Sequence, residues 1–151
     1  MRLVIHIDGG ARGNPGDAGF GVYVTDAGGA VLAQLYGFLG TQTNNVAEYA
    51  ALIVALRYAI SAGVGSVVIR SDSELLVRQI KGVYRVKHPG LIAMHEAARR
   101  LIDRIVRVSV EHIPRTRNKE ADALANRAMD TRGEDPPGVA AGLPLPLGKL
   151  L

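Results

Sequence analysis

Apolar residues alternate or run together in the first third of the chain, and glycine, asparagine and aspartate separate the runs. The segment RLVIHID predicts a first strand, and GFGVYVTDAGGAVLAQLYGFLG predicts two further strands around a turn at residues 26–29. A glycine-rich loop is expected directly after Asp8. Together the three strands favour an antiparallel meander.

Helices and strands alternate in the rest of the chain. Residues 46–61 predict a helix that Gly63 and Gly65 end, and the apolar run at 66–72 predicts a fourth strand. A strand, a crossover helix and another strand imply parallel pairing, so we expect strand four beside strand one and parallel to it. Further predicted elements are helices at 73–82, 91–103 and 119–129 and a fifth strand at 107–113.

The C-terminal segment differs from the rest in composition. Residues after 131 hold four of the seven prolines and show no amphipathic period. We therefore divide the chain into a domain of residues 1–130 and a flexible C-terminal tail of residues 131–151. The sequence leaves open whether the chain is part of a larger polypeptide.

Composition limits the possible chemistry. The chain has 151 residues, 48% of them hydrophobic, which is enough for one core of ordinary size. Cysteine is absent, so a metal would need oxygen or imidazole ligands. No apolar run approaches the ~18 residues of a membrane span, and the N-terminus lacks a secretory pattern. We expect a cytoplasmic protein with no membrane partner.

Basic residues are concentrated in the second half of the chain. The net charge is +4, and twelve of the eighteen Lys and Arg residues lie between Arg70 and Lys119, whereas residues 3–56 contain only Arg12. Such a distribution is compatible with a polyanionic partner such as nucleic acid, and equally with solvated helix faces.

Two aspartates stand at the ends of apolar strands that should be parallel neighbours. Asp8 follows the first strand and Asp72 ends the fourth. Ligands bind at this edge of open α/β sheets, although an aspartate at a strand end can also simply stabilise the next turn.

Two further carboxylates occur at predicted helix starts. Glu48 and Arg57 are the only charges between residues 46 and 61, which indicates a helix buried against the sheet. Asn45 and Glu48 fit a capping box, and the helix dipole alone would favour Asp122 near the start of the last helix. Capping does not explain the polar run QTNN at residues 42–45.

Grouping these four carboxylates requires cations, because like charges at close range oppose ionisation. Carboxylate oxygens and water suit Mg²⁺ or Mn²⁺, and two such ions about 3.5–4 Å apart can activate water and stabilise the leaving oxygen of a phosphodiester.

Four motifs in order, IDGGARGNPG, TNNVAEYAAL, IRSDSELLVRQI and PRTRNKEADALAN, resemble the type 1 ribonuclease H family over residues 3–130. The resemblance implies a mixed α/β fold: a five-stranded sheet with an antiparallel meander of strands 1–3, strands 4 and 5 parallel to strand 1, and helices on both faces. It also implies endonucleolytic cleavage of the RNA strand of RNA/DNA hybrids with two ions, Mg²⁺ or alternatively Mn²⁺, bound once substrate is present. The implied catalytic metal ligands are Asp8, Glu48, Asp72 and Asp122.

The same resemblance assigns the polar neighbours to substrate binding, and we expect the protein to be a monomer. Glycine backbone and asparagine side chains would read the minor groove of the hybrid, and a threonine would contact a DNA phosphate. The residues in these positions are Gly9, Gly10, Asn14, Thr43, Asn44 and Asn45.

Three departures from the family pattern are visible. The segment KGVYRVKHPGL is short and tryptophan is absent, which is typical of the compact branch that lacks a basic protrusion; Lys81, Arg85, Lys87 and the tail could compensate. The loop before Asp122 lacks the usual histidine, so the auxiliary role falls to Arg115, with Arg117 second, and we expect His112 to be structural. A glutamate, Glu74, replaces a frequent glutamine.

Two alternatives remain at this point. A nuclease of the same fold could cut double-stranded RNA or DNA, and a hybrid-binding module could carry an inactive site. The second is less favoured because all four carboxylates are present.

Overall fold

A five-stranded mixed sheet forms the centre of the computed structural model, which describes residues 1–146. The strands are β1 (Arg2–Gly13), β2 (Gly16–Asp26), β3 (Val31–Gln42), β4 (Ser66–Ser71) and β5 (Arg107–His112). Their order in the sheet is β3-β2-β1-β4-β5. Strands 1–3 form the antiparallel meander, β4 pairs parallel with β1, and β5 pairs parallel with β4, which confirms the predicted topology.

Helices cover both faces of the sheet, as expected. Gly9 of β1 lies against the first long helix, whereas Gly21 of β2, which shares a face with Asp8, lies against the last one. Within the described residues, no helix has the length and hydropathy needed to cross a membrane. The helices are α1 (Asn44–Ser61), α2 (Glu74–Ile80), α3 (Pro89–Ile102) and α4 (Lys119–Thr131), with a 3₁₀ turn at Arg115–Arg117.

The first strand is longer than its sequence indicates. The glycine-rich segment after Asp8 was expected to be a loop, but β1 continues to Gly13 and stays paired with β2 throughout. The glycines serve helix packing: a Cβ on Gly9 would lie 2.3 Å from the Ala47 carbonyl carbon. Parallel pairing with β4 ends at Ile7 and Ser71, so Asp8 and Asp72 are the first residues beyond that ladder.

Helix α1 begins at Asn44 rather than at residue 46, and the predicted capping box is wrong. Thr43 is the N-cap, and its Oγ1 accepts a hydrogen bond of 3.3 Å from the Val46 amide. Twelve residues of α1 are buried, as the run of apolar residues predicted. Because Thr43 supplies the cap, the Glu48 side chain is not needed for that purpose.

Residues 133–146, which we call the C-terminal strap, lie against the domain. Asp135 exchanges two backbone hydrogen bonds of 2.9 and 3.0 Å with Tyr36 of β3. Arg57 donates to the carbonyl oxygens of Ala141 and Gly142 at 2.9 and 3.2 Å, and Leu143 is only 6% exposed. The tail was predicted to be flexible over residues 131–151, of which 147–151 lie outside the described residues, and its flexibility stays a prediction.

Candidate metal and nucleic-acid site

Three carboxylates from three different elements meet where β4 ends. Asp8 is on β1, Glu48 on the first turns of α1, and Asp72 directly follows β4. Each offers one oxygen, and these oxygens lie within 4.8 Å of one another. Beyond the end of β4 the sheet has no strand on that side of Asp8. Side chains from the two faces of the sheet can therefore approach each other at this edge.

Asp122 joins this group from the first turn of α4. Its carboxylate is exposed and lines the same cavity of about 390 Å³ as the other three. The four carboxylates that the family resemblance singled out therefore lie together in the folded chain. Other residues expected at the site that line the cavity are Gly9, Gly10, Asn44 and Arg115.

Burial and mutual repulsion shift the ionisation of two of these groups. Burial raises the pKa of Asp8 from 3.8 to about 8, and the charges of Asp72 and Asp122 contribute in the same direction. Burial also raises the pKa of Glu48 well above its usual value, helped by Asp8 and Asp72. Without a cation, this cluster is electrostatically unfavourable at neutral pH.

The donor set fits a hard divalent cation. Glu48 Oε1 is buried and has no hydrogen-bond partner among residues 1–146. An ionised carboxylate in such a position needs a counter-charge. The available ligand atoms are carboxylate oxygens, which Mg²⁺ and Mn²⁺ prefer.

The three candidates for the auxiliary role occupy different positions. Arg115, in the 3₁₀ turn before α4, lines the same cavity as the four carboxylates. Arg117 does not line that cavity, and His112 is the exposed last residue of β5. Arg115 is therefore the basic side chain best placed to act on a ligand at the carboxylates.

Two asparagines link the β1–β2 hairpin to the start of α1. Asn14 Oδ1 accepts from the Asn44 amide at 3.0 Å, and Asn44 Oδ1 accepts from the Ala11 amide at 2.7 Å. Both side chains are exposed, so their Nδ2 groups can still donate to a ligand.

A side groove of about 800 Å³ runs past the start of α1. Asn14, Thr43 and Asn45 line it, and Pro146 of the strap contributes to its wall. These three expected substrate residues therefore lie beside the carboxylate cavity rather than in it.

The basic residues Lys81, Arg85 and Lys87 are exposed between α2 and α3, and Glu74 pairs with Arg78 at 2.7 Å.

Asn118 is a site residue that the sequence did not reveal. Its side chain is fully buried, and its Nδ2 donates to the Ile7 carbonyl oxygen at 2.8 Å and to Asp72 Oδ2 at 3.1 Å. An asparagine immediately before a helix is usually taken for an N-cap, so only the contact with Asp72 distinguishes it. Ser73 and Asn126 also line the cavity without having been anticipated.

Comparison with known proteins places this geometry in a family. A family model described as "Reverse transcriptase-like" matches residues 6–128. The bifunctional protein Rv2228c of Mycobacterium tuberculosis is 44% identical over 135 residues, which cover 89% of this chain and 37% of that protein. The chain thus spans less than half the length of this relative.

Solved structures show the same similarity at the level of the backbone. Ribonuclease H1 of the halophilic archaeon Halobacterium salinarum superposes with a TM-score of 0.84 at 38% identity, covering 87% of this chain and 99% of that one. LC11-RNase H1, whose structure contains an RNA/DNA hybrid, gives a TM-score of 0.82 at 44% identity, covering 86% and 98%.

Proposed function

The chain belongs to the type 1 ribonuclease H family, in its compact form, and from that membership we propose that it is a metal-dependent endoribonuclease that hydrolyses the RNA strand of RNA/DNA hybrids. The observation that carries the proposal is the cluster of Asp8, Glu48 and Asp72, with their oxygens within 4.8 Å of one another. A relative that is 44% identical has been solved with an RNA/DNA hybrid bound. We further propose that residues 1–130 form the catalytic unit and that the protein acts as a monomer.

We propose that Asp8, Glu48, Asp72 and Asp122 hold two divalent ions when substrate is bound, with Mg²⁺ as the usual metal and Mn²⁺ as a substitute. When bound, the ions would supply an activated water and neutralise charge on the leaving oxygen. The chain's own contribution is to keep the four carboxylates converged in one cavity despite their repulsion.

Arg115 would assist by stabilising negative charge at the phosphate, because it lines the same cavity as the four carboxylates. A guanidinium remains protonated in proteins, so Arg115 cannot act as a general base. Any proton transfer at the site would therefore use a group other than Arg115.

Recognition of the hybrid would use the hairpin and the start of α1. The ribose hydroxyls in the minor groove would form hydrogen bonds with four residues of this region. These are the backbone of Gly9 and Gly10 and the side chains of Asn14 and Asn44. Thr43 lines the side groove, where it would contact a phosphate of the DNA strand. Asn45 lines the same groove and would join the other two asparagines at the minor groove.

Cleavage of matched duplexes tests this proposal. RNA/DNA, RNA/RNA and DNA/DNA duplexes of one sequence are incubated with the protein in Mg²⁺ and in Mn²⁺, and Asp72→Asn serves as the control. We expect the hybrid alone to be cut, in its RNA strand, and the variant to be slower by several orders of magnitude. Cleavage of RNA/RNA or DNA/DNA at a similar rate would favour a general duplex nuclease, and near-normal activity of the variant would refute the metal assignment.

A further inference from the structure

Asn118 occupies the N-cap position of α4 without capping it. Its side chain makes no capping hydrogen bond and is 0% exposed. Asparagine is favoured at N-caps because its oxygen accepts from an amide of the first helical turn. Here the side chain is turned to other partners, which indicates a different role.

The Asn118 amide links two parts of the carboxylate cluster. Its Nδ2 donates to the Ile7 carbonyl oxygen at 2.8 Å and to Asp72 Oδ2 at 3.1 Å. Ile7 is the last β1 residue paired with β4 and directly precedes Asp8. One side chain therefore joins the backbone next to Asp8 to the carboxylate of Asp72.

These contacts fix the orientation of the amide. Rotating the amide by 180° would place Oδ1 against two other oxygen acceptors, so Nδ2 must face Ile7 and Asp72. In the observed orientation Oδ1 is buried and has no partner among the described residues. Native proteins rarely retain an unpaired buried acceptor unless the group has another use.

We propose that Asn118 is a positioning residue that holds the Asp72 carboxylate at the spacing from Asp8 that divalent-metal binding requires. Repulsion among three clustered carboxylates would otherwise turn the half-buried Asp72 side chain toward solvent. A neutral amide restrains one Asp72 oxygen without competing with a cation, and it leaves the other oxygen free for the metal. The assignment rests on the proposed metal-dependent function.

Calorimetric titration of the full chain with Mn²⁺, in the absence of nucleic acid, measures the effect directly. We expect Asn118→Ala to weaken Mn²⁺ binding by about 10- to 100-fold, the usual effect of losing a group that orients a metal ligand. At low Mg²⁺ its kcat should fall while KM for the hybrid changes little, because a buried residue does not touch nucleic acid. Raising the Mg²⁺ concentration should recover part of the rate.

Thr25→Val is the matched control. Thr25 Oγ1, on β2, donates to the Val4 carbonyl oxygen of β1 at 3.1 Å, near the start of β1 and four residues before Asp8. Losing this hydrogen bond should lower the stability of the protein without changing its affinity for Mn²⁺. If Asn118→Ala does not fold, Asn118→Leu keeps the branched shape and the number of side-chain heavy atoms, removes the donor, and should show the same loss of affinity.

A folded Asn118 variant with the Mn²⁺ affinity of the unmodified protein would overturn the positioning role, even if the unmodified protein cleaves hybrids. If the unmodified protein neither binds Mn²⁺ nor cleaves hybrids, the proposed function and this assignment both fail. The two failures are distinguishable because the first leaves hybrid cleavage intact.

Discussion

At the scale of single residues, Asp8 combines burial with repulsion from the neighbouring carboxylates of Asp72 and Asp122. Its pKa is raised from 3.8 to about 8, so between these values the folded protein retains a proton that the unfolded chain releases. The free energy of unfolding must therefore fall as pH rises through that range, and Glu48 acts in the same direction. Bound divalent ions would oppose the effect by stabilising the ionised carboxylates.

Asp8→Asn should consequently stabilise the metal-free protein at pH 8 by about 1–3 kcal/mol and have little effect near pH 4. Denaturant unfolding in EDTA across this pH range measures the difference. Adding Mg²⁺ should raise the stability of the unmodified protein more than that of the variant. An equal pH dependence of the two proteins in EDTA would contradict the account.

Arg115 and His112 can be ranked by substitution. Arg115→Ala should slow turnover by roughly 10- to 1000-fold, the range of a single electrostatic donor, and leave the metal dependence unchanged. His112→Ala should have a smaller effect, because His112 does not line the carboxylate cavity. Steady-state kinetics on the hybrid compare the two variants, and the reverse order would assign the auxiliary role to His112.

The carboxylates were predictable at this scale because strand ends, helix starts and motif order all marked them. Asn118 was not, since its local sequence is that of an ordinary helix cap and its partners, Ile7 and Asp72, are 111 and 46 residues away. Contacts between residues so distant in sequence depend on the completed sheet.

At the scale of elements, sequence patterns predicted the identity of every strand and long helix better than their boundaries. The glycines after Asp8 have the composition of a loop, yet they belong to a strand on which two helices pack closely. Glycine is common both in turns and where backbones approach, and the sequence alone does not distinguish the two. Predicting the correct end of β1 would have required knowing where α1 and α4 lie.

Gly21→Ala tests how closely α4 packs on the sheet, at a glycine of β2. A Cβ there would lie 2.3 Å from the Ala121 carbonyl oxygen and 2.7 Å from the Ala125 amide of α4. We expect a loss of about 1–3 kcal/mol in denaturant unfolding, or more, because backbone rather than a flexible side chain must shift. Gly65→Ala, which has no neighbour within 4 Å, should stay within about 0.5 kcal/mol. A similar small effect for Gly21→Ala would show that α4 packs less closely than described.

At the scale of the whole molecule, the topology followed from the order of elements, because a crossover helix between two strands implies parallel pairing. The strap shows the limit of this approach. Its proline content and lack of periodicity gave no indication of docking, whereas Arg57, an unexplained charge within an apolar helix, donates to two of its carbonyl oxygens. Irregular segments are held by backbone bonds and single side chains, which leave no periodic signal.

Leu143→Ala distinguishes a docked strap from a flexible tail. Leu143 is 6% exposed, so its truncation should cost about 2–5 kcal/mol of unfolding free energy if the strap is docked in solution. Leu32→Ala, at a side chain that is 43% exposed, is the matched control and should change stability little. Equal small effects of both substitutions would support the flexible tail that the composition predicted.

The central claim, that the site hydrolyses RNA paired with DNA, is tested most directly by a DNA strand that carries a few consecutive ribonucleotides and is annealed to complementary DNA. With Mg²⁺ present, products are mapped to single-nucleotide resolution. We predict cleavage only at phosphates within the ribose tract, weakening as flanking riboses are replaced by deoxyribose, because the 2′-hydroxyl is the chemical difference between the strands. Equal cutting of the corresponding all-DNA duplex would contradict the claim.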